Sequence, residues 1–573
     1  MDAAASFLQS NDAQDAPDWT QPFPVRTGCK VTPLIEAADM FPALEHLVLD
    51  AEKSVWMSFR IFDPDTKTRS ERAREKGLDD WAALLRDAVE RGVEVRILLA
   101  DFEPVLADYL HAGSWSTYRR IRAIQADLPE ACRDKLQLIV IQHEGEMGWG
   151  IRQLLRFGLR SRIRNVVEGL LEEEAHNDGG FDTRPGLWPY LRWKGERPEG
   201  WKAGPPPRLW PATYHQKAVA VDGRTAILGG IDLDERRWDD RRHRQRTDQT
   251  WHDISARVEG PAAADVARHF AHLWNRELPR YRAIVEEWTG ACEQELMLDP
   301  LTPIAESAKI EDGAGGAAVQ LVRTLSRRAR HPFALGPRAH IRELKAAHRR
   351  VIGAARRQLY IEAQFLRSDE AADWIAEALK AHPALEVIIL IANVPEEIAF
   401  EKQVDNLAHR HGEYLQARAL GRLLKIAGPD RVGLFTLAKQ EPVKPGERQF
   451  EETRGTAYGS GVIHVHSKLL IADDSLCLLS SANINGRSFD WDTELGILWR
   501  EEGDAIPAFR SRLWAQLFGG EISGAMDLAG WREIAARNAA AAPGARTGFI
   551  LPYQLGRAKR FGRAYWFVPD DLV

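Results

Sequence analysis

One pattern occurs twice in this chain, about half its length apart, and it constrains the fold more than any other feature. His215, Lys217 and Asp222 form the first copy of His-x-Lys-x4-Asp; His466, Lys468 and Asp473 form the second. Each copy runs on into a turn of small residues, Gly229-Gly230-Ile231-Asp232 and Ser480-Ser481-Ala482-Asn483. The flanks repeat in the same order. ALEHLVLDAEKSVWMSFRIFD (Ala43 to Asp63) resembles ELKAAHRRVIGAARRQLYIEAQFL (Glu343 to Leu366), each reading as an amphipathic helix followed by a strand. GVEVRILLADF near residue 95 and LEVIILIANV near residue 390 are short, apolar, β-branched runs suited to buried parallel strands. A repeat of this size predicts an α/β protein of two similar lobes related by a pseudo-twofold axis. Each lobe is expected to be a mixed, mostly parallel sheet flanked by helices. The expected boundaries are an N-terminal extension over 1–30, a first lobe over 31–298, a connector over 299–317 and a second lobe over 318–573.

The second copy sits in HVHSKLLIADD, and on a strand alternate side chains share a face. His464, His466 and Lys468 would then point one way, and Val465, Ser467 and Leu469 the other. Three readings follow: a metal site, a phosphate-handling site, or a strand with a polar face. A zinc site needs a third and a fourth ligand, and no Cys/His cluster adjoins the pair. The four cysteines, Cys29, Cys132, Cys292 and Cys477, are far apart and form no CxxC pair. A net charge of −6 does not favour a general nucleic-acid binder, which needs a basic surface.

Two such motifs converging on one pocket would suit phosphoryl chemistry. Two ammonium groups match the non-bridging oxygens of a phosphate. One imidazole can attack phosphorus to give a phosphohistidine, and the other, protonated, can donate to the departing oxygen and then serve as base. Histidine suits both tasks because its pKa lies near neutrality. A carboxylate on the far ring nitrogen would fix each tautomer. Lysines would supply the positive charge that a cation otherwise provides, so no cofactor is expected.

The doubled H-x-K-x4-D motif with its downstream turns resembles the signature of the phospholipase D superfamily, and the match covers most of the chain. Further stretches resemble its phospholipase D branch: GGID with ERRWDDRRH (Gly229 to His243), WHDISARVEGPAAADVARHFAHLWN (Trp251 to Asn275), QLVRTLS (Gln320 to Ser326) and YIEAQFL (Tyr360 to Leu366). The resemblance implies His215 as nucleophile and His466 as general acid and later base. Lys217, Lys468 and Asn483 would hold the phosphate, with Asp232 at the equivalent turn position of the first copy. Glu494, in DTELGI, resembles the acidic residue that orients the second histidine, and Asp253 is the candidate for the first. Asp232, His243 and His464 are expected to contact substrate, His464 as a pocket-wall residue without a counterpart in the first copy, where Thr213 stands. Asp222 and Asp473 are expected to be structural. The second turn reads SSAN where many relatives have GSxN, and Ala363 stands where an Asn is common.

The implied reaction is hydrolysis of a glycerophospholipid at a membrane surface, or transfer to an alcohol in place of water, by a monomer carrying both motifs. A cardiolipin-synthase-like phosphatidyltransferase and a nuclease share that chemistry; a non-catalytic lipid-binding protein is the rival of another class. Nucleic acid is not an expected partner. GWGIRQLLRFGLRSRIRNVVEGLLEEEAHND (Gly148 to Asp178) reads as a basic amphipathic helix, fit either for a membrane interface or for packing on the core with a solvated basic face. The opening segment lacks a positive stretch followed by an apolar one, so it does not read as a Sec signal. No apolar run is long enough to span a bilayer. The expected location is cytoplasmic or peripheral to a membrane, compatible with export by a route that reads no such signal.

Overall fold

A computed structural model describes residues 7–8, 19–174, 180–290, 315–396, 407–443, 456–520 and 527–573. Up to residue 314 the expected connector lies outside the described residues, as do the last residues of the expected basic helix (175–178).

Apart from a hairpin of Leu191–Lys194 and Arg197–Trp201, the described strands of the first half are β1 (Arg26–Ile35), β2 (Ser54–Phe59), β3 (Glu94–Ala100), β4 (Leu136–Ile141), β5 (Ala218–Val221), β6 (Thr225–Gly229), the two-residue β7 (Trp251–His252) and β8 (Ile254–Glu259). Side by side they run β1-β8-β6-β5-β2-β3-β4, with β2, β3 and β4 parallel and the other neighbours antiparallel. The second half contains β9 (Ala317–Arg327), β10 (Gln358–Ala363), β11 (Glu386–Ile391), β12 (Val432–Pro442), β13 (Ser460–Val465), β14 (Leu469–Ala472), β15 (Leu476–Ser480) and β16 (Glu494–Arg500). Its order is β9-β16-β15-β14-β10-β11-β12, again with a parallel trio at one side. Strand for strand, the two orders correspond. The middle strands of the parallel trios, β3 and β11, are the apolar runs of the sequence, and nearly every residue of the trios is buried.

β1 begins at Arg26, inside the segment expected to be an N-terminal extension, because RTGCKV has too few apolar residues to be read as a strand. Arg26 and Cys29 pair with Val319 and Ala317 of β9, so the halves share a sheet edge. Helices α1 (Ala37–Asp50) and α4 (Glu343–Ala354) occupy the same place before β2 and β10. Their buried residues recur at helical spacing: Met40, Phe41, Leu44 and Val48 in one, Leu344, Ala347, Val351 and Ile352 in the other. Between them in the chain come α2 (Trp149–Glu174) and α3 (Pro261–Thr289). One buried apolar cluster crosses between the halves, joining Ala220, Leu228 and Ile254 to Leu321, Ile463, Leu479 and Ile497.

The motif aspartates hold the start of each trio. Asp222 accepts the backbone N–H groups of Glu52, Lys53 and Ser54 at 2.9, 2.8 and 2.7 Å. Asp473 does the same for Arg356, Arg357 and Gln358 at 2.7, 2.8 and 2.8 Å. Both adopt a left-handed backbone, φ 54° and 49°, which Asp tolerates better than most residues.

Candidate active site

The motif histidines do not lie on one continuous strand with their lysines. β13 ends at Val465 and β14 begins at Leu469, leaving His466, Ser467 and Lys468 in a break between them. The break exists because the backbone there turns to bond the opposite half. His466 and Ser467 both donate their N–H to the His252 carbonyl, at 2.8 and 3.2 Å. In the other direction His215 and Gln216 donate to the Thr493 carbonyl, at 2.8 and 3.0 Å. β7 pairs in parallel with the end of β13, and Tyr214 bridges Thr493 in parallel. The same exchange thus occurs twice, once from each half.

Its consequence corrects the expected pairing of acid and base. Glu494, next to Thr493, meets His215: Nδ1 lies 3.0 Å from Oε2. Asp253, next to His252, meets His466: Nδ1 lies 2.7 Å from Oδ2. Each histidine is therefore served by the carboxylate of the other half. A carboxylate follows its own half's motif in the chain, so reading along the sequence assigns it to the wrong ring.

His215, Lys217, His466, Lys468 and Asn483 are all buried. Each lysine donates Nζ–H to the carbonyl of its own motif histidine, Lys217 to His215 at 2.6 Å and Lys468 to His466. Lys217 also lies 3.6 Å from Asp232 Oδ2, while Asp232 Oδ1 accepts the N–H groups of Arg60 and Ile61 at 3.0 Å each. That places Asp232 as an anchor for the lysine and for the end of β2, rather than as a free substrate contact. Asn483 donates to Gln364 at 3.3 Å, and its Oδ1 has no partner among the described residues.

Burial, and then its own motif lysine, pushes each histidine well below its ordinary pKa. Lys468 also acts on His215, and Lys217 on His466, so the two motifs share one electrostatic neighbourhood. Burial lowers Lys468 to about 7, with Lys217 adding to the effect. It raises Asp253 to about 6 and, helped by Asp492, Glu494 to about 8. Neutral imidazoles beside crowded ammonium groups form a buried cluster whose charge an anion would relieve.

The supports behind the two rings differ. Ser481 donates to Glu494 at 2.5 Å. At the matching position stands Gly230, where a Cβ would lie 2.6 Å from Asp253 Oδ1, so Asp253 occupies space that a side chain would fill. Behind Asp253, the fully buried His252 spans two carboxylates, Glu36 at 2.7 Å and Glu362 at 3.0 Å. Glu362 also accepts from Tyr360 (2.6 Å) and Ser467, and Glu36 from Gln516 (2.9 Å). A ring with a carboxylate at each nitrogen donates from both, and the pair raises His252 well above its ordinary pKa against the effect of burial.

His243 belongs to this network and not to the pocket wall. Its Nδ1 lies 2.7 Å from Asp239, and its Nε2 faces Glu36 at 3.5 Å. The expected substrate contact is corrected accordingly: the buried ring is held between two carboxylates. His464 is buried, packed edge-on against Trp251 with ring centroids 5.1 Å apart, 3.1 Å from Gln364 and with its ring 6.2 Å from that of His466. Glu36, Glu362, Gln364 and Ser481 join the site without a role expected from the sequence. Glu362 and Gln364 lie inside the quoted YIEAQFL stretch, which was signal enough; Glu36 is a lone residue at a loop with φ 68° and carries none.

A cleft of about 530 Å³ lies where β2 ends, lined by Ile61, Phe62, Tyr109, Leu110, Thr117 and Arg236 among others. The catalytic candidates do not line it; it adjoins them through Ile61, whose N–H binds Asp232. Among the described residues no group of three or more His, Cys, Asp or Glu is placed to hold a metal ion.

No protein-family model matches the chain. Among curated proteins it is similar to Phospholipase D1 of Homo sapiens, 29% identical over 281 residues that cover 45% of this chain and 24% of that protein. It is also similar to Phospholipase D alpha 4 of Arabidopsis thaliana, 24% identical over 392 residues that cover 54% of this chain and 49% of that protein. The matched region thus spans from about a quarter to about half of these relatives' length. Among solved structures, a phosphatidylserine synthase of Haemophilus influenzae aligns over 86% of this chain and 88% of its own, at 12% identity and a TM-score of 0.49.

Proposed function

We propose, from the premise that the chain belongs to the phospholipase D superfamily, that it is a phosphodiesterase cleaving glycerophospholipids to phosphatidic acid and a free head group. One observation carries the reading: two buried imidazoles, each backed by the other half's carboxylate, share their surroundings with two buried lysines.

In the proposed reaction Lys217, Lys468 and the Asn483 amide hold the non-bridging oxygens. His215 Nε2 attacks phosphorus, the P–N bond forms and the bond to the head-group oxygen breaks. His466 gives that oxygen its proton. A phosphate in the pocket offsets the lysine charges that hold His466 neutral, and Asp253 at Nδ1 stabilises the imidazolium, so the acid is formed when substrate binds. Water then enters; His466 takes its proton, the oxygen attacks phosphorus, and the P–N bond breaks to release phosphatidic acid. An alcohol in place of water gives a transferred product by the same steps. The lysines supply the stabilising charge, so turnover needs no metal. One chain holds both motifs, so a monomer suffices. Among the described residues no helix is long and apolar enough to cross a membrane, which fits an enzyme that meets its lipid from outside the bilayer.

The test is incubation with mixed phospholipids, plasmid DNA and bis(p-nitrophenyl) phosphate, with products identified by mass spectrometry. Phosphatidic acid and free head group are expected, undiminished by chelator, with His215→Ala and His466→Ala each lowering turnover by about a thousandfold or more. Cleavage of DNA alone, or chelator inhibition reversed by metal, would overturn the reading.

A further inference from the structure

Two segments that are distant in sequence combine into one surface patch outside the site. Residues 148–167, covering most of α2, contain five arginines and no carboxylate, and so do residues 327–342, from the last residue of β9 onward. Backbone hydrogen bonds join them: Gly148 N–H to the Ala334 carbonyl at 2.8 Å and Gly150 N–H to the Pro332 carbonyl at 2.6 Å. Only glycine permits the join, since a Cβ would lie 2.3 Å from the Pro332 carbonyl oxygen at Gly148 and 2.6 Å from the Phe333 ring at Gly150.

The patch exposes large apolar side chains. Trp149 is 60% exposed, Leu154 70%, Phe157 68% and Phe333 53%, with the exposed Arg156 and Arg330 in the same two segments. Further along α2 the pattern is the ordinary one: Leu159, Ile163 and Val167 are buried against Trp188, Tyr190 and Leu191. Only the first turns of α2 turn apolar groups outward, so core packing accounts for the second part of the helix and not the first. Interleaved arginines and bulky apolar tips suit the headgroup boundary of a membrane, where each kind of side chain finds its medium. A nucleic acid would take the arginines but leave the leucine and phenylalanine tips in water. The chain's net charge is −6, so the basic character is local.

The patch is mechanically tied to the site. A Cβ at Gly336 would lie 2.5 Å from the Trp491 ring, and Trp491 precedes Asp492, Thr493 and Glu494 in the chain. His143, a few residues before α2, contacts Thr493 Oγ1 at 3.2 Å. The geometry points to a docking surface for an anionic lipid bilayer, formed by Trp149, Leu154, Arg156 and Phe157 of α2 with Arg330 and Phe333 of the adjoining loop. It deepens the proposed function, resting on the reading that the substrate is a membrane lipid, and holds the His215 side of the site against the lipid.

Cosedimentation of the full chain with phosphatidylcholine vesicles, with and without phosphatidylserine, tests this. Binding is expected to be roughly tenfold or more tighter with phosphatidylserine and to weaken with salt. Leu154→Glu with Phe157→Glu should reduce binding roughly tenfold or more on either vesicle. Arg156→Ala with Arg330→Ala should remove most of the phosphatidylserine preference. These side chains are exposed, so both variants should melt with the wild type and cleave bis(p-nitrophenyl) phosphate as it does. Failure of the wild type to cleave any diester would overturn the proposed function and leave the vesicle result to be judged alone. Equal binding by wild type and variants, no binding to either vesicle, DNA binding lost in the arginine variant, or a dimer dissociated by the Leu154/Phe157 variant would each overturn the docking surface.

Discussion

His252 shows how a single residue can make two copies of one motif unequal. As a buried cation beside Asp253, it favours the ionised carboxylate, which in turn favours a proton on His466. Glu494 has no such cation behind it: burial, and then the carboxylate of Asp492, push it towards its neutral form against the pull of Lys217 and the Ser481 hydroxyl. In the proposed mechanism this suits His466 to be the acid and His215 the neutral nucleophile. Replacing His252 by Gln leaves Glu36 and Glu362 facing each other without their cation, at an expected cost of about 3–5 kcal/mol in a denaturation experiment. Turnover of a substrate with a poor leaving group should fall by about a hundredfold, while p-nitrophenolate release, which needs little acid assistance, should fall much less. Equal losses on both substrates would remove the positioning role. Lys468 gives a pH signature. Its pKa is lowered to about 7, so in the free protein its charge is lost as pH rises through that value, and kcat/KM should fall above it. A bound phosphate raises the lysine pKa again, so the alkaline limb of kcat should lie at higher pH; coincident limbs would contradict this. The histidines and lysines were legible because they repeat in register. Glu36 was not, because a residue recruited by packing leaves no pattern.

Short elements owe their placement to contacts that the sequence shows only in part. Asp222 and Asp473 could be expected to be structural from the motif, and each gathers three backbone N–H groups at the start of a parallel trio. Asp222→Ala should cost about 2–3 kcal/mol in urea denaturation, since charge-assisted bonds are lost at a left-handed position. Asn, which accepts one such bond and tolerates positive φ, should recover part of it. A null effect of alanine would show that water replaces the carboxylate. The turn after β6 makes a separate case. Gly230→Ala places a methyl against Asp253 and should displace it, lowering turnover by about a hundredfold with little loss of stability. The apolar runs of β3 and β11 were readable as buried strands because both faces are covered. The break at His466–Lys468 was not, because alternation alone cannot tell a strand from a segment that leaves the ladder to bond another one.

At the scale of the whole chain, the halves are interlocked and neither motif has its carboxylate without the other half. The duplication and the matching strand order followed from the repeated sequence. The exchange of strand ends did not, since which half a strand end pairs with is decided by tertiary packing and local spacing is the same either way. Because one apolar cluster runs through both halves, unfolding is expected to be a single transition by calorimetry and by tryptophan fluorescence. In the proposed mechanism both rings act on one phosphorus atom, with the covalent step at His215. The most direct measurement is rapid acid-free quenching during turnover, followed by peptide mass spectrometry of wild type, His215→Ala and His466→Ala. A phosphoryl-linked adduct is expected on the peptide containing His215, accumulating in His466→Ala when the leaving group is p-nitrophenolate, and absent in His215→Ala. An adduct on His466, or full turnover in His215→Ala, would contradict the mechanism.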